Sequence, residues 1–82
     1  MYKVVFTEKA LSDLYALDKQ TQERIAKKLK EYSKNPLKYA RKLSTIQIGT
    51  YRFRIGDYRV IFDIEEENII ILRVGHRKDI YR

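Results

Sequence analysis

The chain has 82 residues, which is enough for a single domain, residues 1–82, with one modest hydrophobic core. It contains no cysteine, and this excludes disulfides, thiolate metal sites and a cysteine nucleophile. No apolar run is long enough for a signal peptide or a membrane span, so we expect a cytoplasmic protein that does not contact the membrane.

The net charge of +7 is concentrated in one part of the chain. Residues 19–42 carry nine Lys and Arg against two Glu, whereas the flanking segments are close to neutral. Such a basic segment suits a polyanion such as nucleic acid, or an acidic protein partner. A solvated helix surface is the simpler alternative, and for a Lys-rich helix alone it is the more common one.

The first half of the sequence predicts one strand followed by two helices. Residues 3–6 are β-rich. Thr7 is a suitable cap for a helix that runs to about residue 17, and Asp18 for a second helix over residues 19–33. Because the joint between them is short, the two helices should form an antiparallel hairpin.

The second half changes to the alternating pattern of strands. Asn35-Pro36 ends the second helix, and residues 37–46 form a basic connector with room for one more helical turn. Strands are predicted at 51–55, 58–64 and 69–74, joined by short turns. The predicted class is α+β, with the helical hairpin packed on one face of a small, mainly antiparallel four-stranded sheet in the chain order β-α-α-β-β-β.

Alternation also divides the strand residues between two faces. The apolar sets should face the helices, and they are Tyr51, Phe53 and Ile55, then Tyr58, Val60, Phe62 and Ile64, then Ile70, Leu72 and Val74. The opposite face then carries Arg52, Arg54, Arg59 and Arg73, with Arg77 just beyond its edge.

Arginine favours planar, bidentate contact with phosphate, so this pattern predicts an anion-binding face. An ordinary solvated sheet face is the alternative, and a register slip of one residue would exchange the two faces.

The C-terminal segment holds two further candidates. His76 is the only histidine, and it follows a strand end and a glycine among cations. Tyr81 lies in a polar tail, four residues after Arg77. Each has a structural alternative, since a lone histidine is more often structural than catalytic and the tyrosine could simply anchor the tail.

Several segments together resemble the RelE branch of the RelE/ParE toxin superfamily. Residues 74–82, VGHRKDIYR, are similar to the ending of RelE-type toxins. YRFRI at 51–55 and GDYRVIF at 56–62 resemble their central strands, and residues 6–14 resemble their N-terminal start. The resemblance covers nearly the whole chain in order.

This resemblance implies a toxin that cuts mRNA in the ribosomal A site and is inhibited by a cognate antitoxin. The toxin alone would be monomeric, and with the antitoxin it would form a hetero-oligomer. The expected catalytic residues are Arg59, Arg77, Tyr81 and His76. The residues expected to bind the phosphates of RNA are Arg52, Arg54, Arg73 and Lys78.

Cleavage of this kind requires attack of a 2′-hydroxyl on the adjacent phosphate, with a base, an acid and charge stabilisation. We expect Tyr81 or His76 to be the base and Arg77 to assist the leaving group. No metal or cofactor is expected, because one His without Cys leaves only scattered carboxylates. The alternatives are a ParE-like inhibitor of DNA gyrase and a non-catalytic antitoxin- or RNA-binding module of the same fold.

Overall fold

A computed structural model of the chain describes residues 1–43 and 49–81. The elements in chain order are β1 (Lys3–Phe6), α1 (Glu8–Tyr15), α2 (Lys19–Tyr32), α3 (Pro36–Tyr39), β2 (Arg41–Lys42), β3 (Tyr51–Ile55), β4 (Tyr58–Glu65) and β5 (Asn68–His76). None of the helices in these two ranges is long and apolar enough to cross a membrane. Residues 44–46 of the predicted connector lie outside the described residues.

The two predicted helices are confirmed, and the start of α1 has a side-chain cap. The Thr7 hydroxyl accepts a hydrogen bond from the backbone N of Ala10 at 3.1 Å, which satisfies one of the free N–H groups of the first turn. Asp18 precedes α2 and accepts a hydrogen bond from the Thr21 hydroxyl instead. This hydrogen bond holds the pKa of Asp18 below its ordinary value, because it stabilises the ionised carboxylate.

The sheet differs from the sequence prediction in both strand number and direction. It has five strands in the order β1-β5-β4-β3-β2, so the prediction of a four-stranded sheet was wrong. The additional strand, β2, contains only Arg41 and Lys42 and pairs antiparallel with β3. Two charged residues show no alternation and have low strand propensity, which is why the pattern assigned them to a connector.

The outermost pair at the other edge is parallel. β1 pairs with β5, from Lys3 opposite Asn68 to Phe6 opposite Ile71. The remaining pairs are antiparallel, so the sheet is mixed. Parallel neighbours require a long connection, and the helices that follow β1 in the chain provide it for the β1–β5 pair.

The face assignment predicted for the last strand was wrong over its first half. We expected Ile70 and Leu72 to face the helices, but Ile69 and Ile71 are fully buried there and join the core cluster with Val74. A slip of one residue exchanges the faces of a strand.

An irregularity between β4 and β5 causes this exchange. Ile61 pairs with Arg73, but the next residue, Phe62, pairs with Ile71. Leu72 is therefore an extra residue on β5, as in a β-bulge, and the alternation changes phase there. Because Arg73 lies on the C-terminal side of the bulge, it keeps the face that the sequence predicted.

The core lies between the helices and the sheet. Phe53 and Phe62 stack with ring centroids 4.2 Å apart, and Tyr32 of α2 packs on Phe53 at 5.0 Å. Ile25 and Leu29 of α2 are buried against the same group. This burial fixes which face of the sheet is turned away from the helices.

The face turned away from the helices is partly covered. Ile61 and Ile80 are buried but lie outside the main core cluster. A Cβ atom on Gly49 would lie 2.5 Å from Cγ2 of Ile61, so the backbone at Gly49 runs directly over that side chain. Similarly, Ile80 lies over Gly75, where a Cβ would be 3.2 Å from Cδ1 of Ile80. A side chain at Gly49 would therefore clash with Ile61, whereas one at Gly75 would require a small shift of Ile80.

Candidate anion-binding face

Three arginines from two neighbouring strands meet on the face turned away from the helices. Arg52 and Arg54 alternate on β3, and Arg54 lies directly opposite Arg59 of β4. Within the described residues, none of the three forms an ion pair with a carboxylate. We call this surface the arginine face.

Arg59 is the buried member of the arginine face, with 6% of its surface exposed. Its Nη1 donates to the carbonyl oxygens of Gly56 and Tyr58, both at 3.0 Å. Burial, and then the charge of Arg54, lower the pKa of Arg59 from its ordinary value; Arg52 and Arg77 act in the same direction, and Tyr81 acts against them. The guanidinium still stays protonated near neutrality, so a buried positive charge is stabilised by the carbonyl oxygens of Gly56 and Tyr58.

Tyr81 contacts the arginine face through Arg52. Nη1 of Arg52 donates to the Tyr81 hydroxyl oxygen at 3.0 Å. Tyr81 as a whole is 45% exposed. Lys42 and Leu43 join these two residues around a cleft of about 330 Å³. Arg52 and Tyr81, each predicted as a site residue, are therefore brought together from positions 29 residues apart.

Arg77 lies at the turn of the β3–β4 hairpin, whereas Tyr81 contacts Arg52 near the start of β3. Its backbone N donates to the carbonyl oxygen of Asp57 at 2.7 Å. Its side-chain Nε lies 3.8 Å from Oδ1 of the same residue, and both side chains are largely exposed. This exposed ion pair is weak, so the guanidinium can exchange Asp57 for a stronger anion. Lys78, which was predicted to bind phosphate, is exposed beside it.

Arg73 does not extend freely over the arginine face. Its Nε donates to Oδ2 of Asp13 at 2.7 Å, and the same oxygen accepts the backbone N of Val74 at 3.0 Å. Strand register places Arg73 directly opposite Ile61. Its charge is nevertheless neutralised by the carboxylate of Asp13 on α1. Sequence reasoning missed Asp13, because 60 residues separate it from its partner.

The structure places His76 on the helix side of the sheet. It pairs with Tyr58, and the two rings meet edge to face with centroids 5.5 Å apart. With Asp13 and Leu17 it lines a cleft of about 470 Å³ beside α1. The neighbouring row, Arg59 opposite Gly75, faces the other way. His76 is therefore not brought together with the arginine face, although Arg73 lines the same cleft.

Arg41 is a candidate that the sequence prediction missed. It lies on β2 directly opposite Arg52 and is exposed. Directly opposite residues share a face, so Arg41 extends the arginine face to the edge of the sheet. Finding Arg41 from the sequence would have required predicting β2. A strand of two residues leaves no periodic pattern in the sequence.

No group of three or more metal-ligating side chains occurs among residues 1–43 and 49–81. The arginine face itself presents several cations and the Tyr81 phenol. Such a surface can bind an anion at several points and stabilise additional negative charge on it.

Comparison with known proteins gives the family. The sequence profile of the family described as "ParE toxin of type II toxin-antitoxin system, parDE" matches residues 4–81. The chain belongs to the RelE/ParE toxin superfamily. The resemblance seen in the sequence is thus confirmed at the level of the superfamily.

Individual relatives within the RelE/ParE superfamily carry RelE-type names. The chain is 36% identical to toxin RelG of Mycobacterium tuberculosis, over 99% of this chain and 97% of that protein. It is 34% identical to toxin RelE3 of Methanocaldococcus jannaschii, over 96% of this chain and 94% of that protein.

Solved structures of the superfamily have the same fold. The RelBE2 toxin–antitoxin complex of M. tuberculosis contains a chain that matches with a TM-score of 0.83 and 32% identity, covering 93% of this chain and 98% of that one. The isolated RelE toxin of Escherichia coli matches with a TM-score of 0.75 and 28% identity, covering 93% and 84%.

Proposed function

We propose that this protein is the toxin of a RelBE-type toxin–antitoxin system and acts as a ribosome-dependent endoribonuclease that cleaves mRNA in the A site. The observation that supports this most strongly is the direct opposition of Arg54 and Arg59. Like charges directly opposite each other in a sheet are destabilising, and Arg59 is also buried. A bound phosphate would relieve both costs.

The substrate class follows from the shape and charge of the arginine face. Guanidinium groups bind two phosphate oxygens at once, and the cations on β2 and β3 are spaced along strands. A chain of phosphodiesters matches a row of such groups better than a single small anion does. The nearby Tyr81 adds a group that can exchange a proton.

In the proposed reaction the 2′-oxygen attacks the adjacent phosphorus and loses its proton, and the bond to the 5′-oxygen then breaks. The products are a 2′,3′-cyclic phosphate and a 5′-hydroxyl. Arg54 and Arg59 stabilise the phosphorane. The hydrogen bond from Arg52 stabilises negative charge on the Tyr81 oxygen, which takes the 2′-proton. Arg77 donates a proton to the departing 5′-oxygen, which leaves as the 5′-hydroxyl, and proton exchange with water then restores Arg77 and Tyr81.

This set of groups is weak for acid–base catalysis on free RNA, since phenol and guanidinium titrate far from neutrality. We therefore assign the orientation of the substrate to the ribosome, where fixing the reacting atoms supplies part of the rate. Cleavage should depend on ribosomes for this reason.

The proposal includes a cognate antitoxin as partner. Related chains were solved as RelB–RelE complexes, among them those of Pyrococcus horikoshii and E. coli. A cluster of arginines that has no carboxylate partner among residues 1–43 and 49–81 is a natural contact for acidic side chains of an antitoxin. Such a contact would block the arginine face and account for inhibition.

A second candidate function is inhibition of DNA gyrase, and the description of the matching family as ParE favours it. A gyrase inhibitor does not need a nucleophile-activating group, so replacement of Tyr81 would leave its toxicity unchanged. This gives a simple distinction between the two functions.

The decisive experiment follows mRNA cleavage by the purified toxin with and without ribosomes, beside a gyrase supercoiling assay. We expect cleavage only with ribosomes, with fragments ending in 2′,3′-cyclic phosphate. Arg54→Ala and Arg77→Ala should each reduce the cleavage rate by about 100-fold, and Tyr81→Phe should also reduce it strongly.

The matched control is Lys27→Ala, which removes an exposed cation from α2, away from the arginine face. Its cleavage rate should stay close to that of the wild type. Supercoiling inhibition without cleavage would replace the nuclease proposal by the ParE-like function. Neither activity, with antitoxin binding retained, would indicate a binding module.

A further inference from the structure

The C-terminal turn at residues 77–81 begins at His76, which accepts hydrogen bonds through both its main chain and its side chain. The carbonyl oxygen of His76 accepts the backbone N atoms of Asp79 at 2.9 Å and Ile80 at 3.0 Å. Its Nδ1 atom accepts the backbone N of Lys78 at 3.1 Å. This is the pattern of an N-cap residue, a position usually occupied by Ser, Thr, Asp or Asn.

The imidazole is also oriented from its other side. Its ring lies edge-on to Tyr58, with centroids 5.5 Å apart, and lines the cleft beside α1. The charged groups around that cleft are Asp13 on α1, Arg73 on β5 and Asp79 in the turn. The strand thus separates the ring from Arg59, which lies on the other face in the next cross-strand row.

The turn carries the groups that complete the arginine face. It places Arg77 on the β3–β4 turn, where the backbone N donates to Asp57. It buries Ile80 over Gly75 and brings the Tyr81 hydroxyl to Arg52. Its conformation therefore determines where two proposed catalytic side chains lie.

We propose that His76 is a positioning residue, whose Nδ1 caps the C-terminal turn and so holds Arg77 and Tyr81 at the arginine face. This inference rests on the proposed nuclease function for its effect on cleavage, but the capping itself does not depend on that function. His76 acts from the helix side of the sheet and does not exchange protons with the substrate. Nδ1 can accept only without a proton, so the neutral ring carries its proton on Nε2.

The test compares two substitutions of His76 in the full-length toxin. In His76→Asn the amide oxygen can replace Nδ1 as acceptor, because Asn is a good N-cap residue, whereas His76→Ala removes the acceptor. We expect His76→Ala to lower kcat for ribosome-dependent cleavage about tenfold, and His76→Asn to stay within about threefold of wild type. If both variants lose activity equally, His76 exchanges protons and the positioning role is wrong. An unchanged His76→Ala would also overturn it.

A spectroscopic readout tests the cap independently of cleavage. In the wild type, 15N NMR should show the His76 ring protonated on Nε2 with an unprotonated Nδ1. The backbone amide resonance of Lys78 should shift in His76→Ala and return towards its wild-type position in His76→Asn. A protonated Nδ1, or a Lys78 amide that is unaffected by His76→Ala, would overturn the proposal. If the toxin cleaves no mRNA, the nuclease function fails while this experiment still decides the role of His76.

Discussion

Arg54 and Arg59 lie directly opposite each other across the β3–β4 hairpin, and neither has a carboxylate partner among the described residues. Arg59 is almost fully buried and relies on the carbonyl oxygens of Gly56 and Tyr58. The pair is unfavourable for folding and suited to binding an anion. Stability and function should therefore respond in opposite directions when one of the two charges is removed.

Replacing Arg54 by Gln should make the protein more stable and less active. Removing an exposed like charge opposite Arg59 should raise the free energy of unfolding by about 0.5 kcal/mol, measured by urea denaturation at low salt. Cleavage should fall by about 100-fold. Sulfate should stabilise the wild type more than the variant, since it replaces the missing negative charge. Lys27→Gln provides the control, and a loss of stability in Arg54→Gln would contradict the assigned repulsion.

Arg41→Ala should weaken binding of single-stranded RNA without changing sequence preference. Arg41 extends the arginine face beyond Arg52, so its loss should remove one phosphate contact. The slope of log K against log salt concentration should then decrease by about 0.7, measured by fluorescence anisotropy over a salt series. The slope of Lys27→Ala should match that of the wild type. An unchanged slope in Arg41→Ala would place the RNA elsewhere.

Asp13→Ala should destabilise the protein more than Arg73→Ala. Asp13 is the more buried partner, and its Oδ2 accepts both Arg73 Nε and the backbone N of Val74. We expect losses of about 2 kcal/mol for Asp13→Ala and about 1 kcal/mol for Arg73→Ala in the free energy of unfolding. Denaturation of both variants and the double mutant measures the coupling. Equal losses from the two single substitutions would contradict a separate contribution from the Val74 hydrogen bond.

Gly49→Ala should be more damaging than Gly56→Ala, although both glycines have positive φ. A Cβ at Gly49 would lie 2.5 Å from the buried Ile61 side chain, whereas at Gly56 it would meet the flexible end of the Arg24 side chain. We expect a cost of about 3 kcal/mol at Gly49 and about 1 kcal/mol at Gly56, measured by thermal or urea unfolding. The reverse order would show that the far side of the sheet is not covered as described.

Local patterns predicted much of the fold correctly. The capping residue Thr7 and the 3.6-residue periodicity located α1 and α2, and strict alternation located β3 and β4. The same alternation placed Arg52, Arg54 and Arg59 on one face. These features depend on residues that are close in sequence, so they are visible without the rest of the structure.

Other features depended on contacts between distant residues. The bulge at Leu72 exchanged the faces of Ile69 to Ile71, because the pairing of β5 with β4 determines its phase. β2 exists only because Tyr51 and Arg52 lie beside it. The sequence also could not show that Arg73 and His76 lie apart from the other predicted site residues. Arg73 is held by Asp13 of α1, and His76 packs against Tyr58 of β4.

The sequence alone therefore determined the superfamily, the two N-terminal helices and the cationic character of one sheet face. All three follow from residue type and short-range spacing. The tertiary structure decided which of the described arginines are left without a carboxylate partner. Arg54 and Arg59 are left opposed by strand register, while Arg73 is neutralised by Asp13 from a helix 60 residues away. Charge is a property of each residue, but its compensation depends on which side chains the folded chain brings within hydrogen-bond distance.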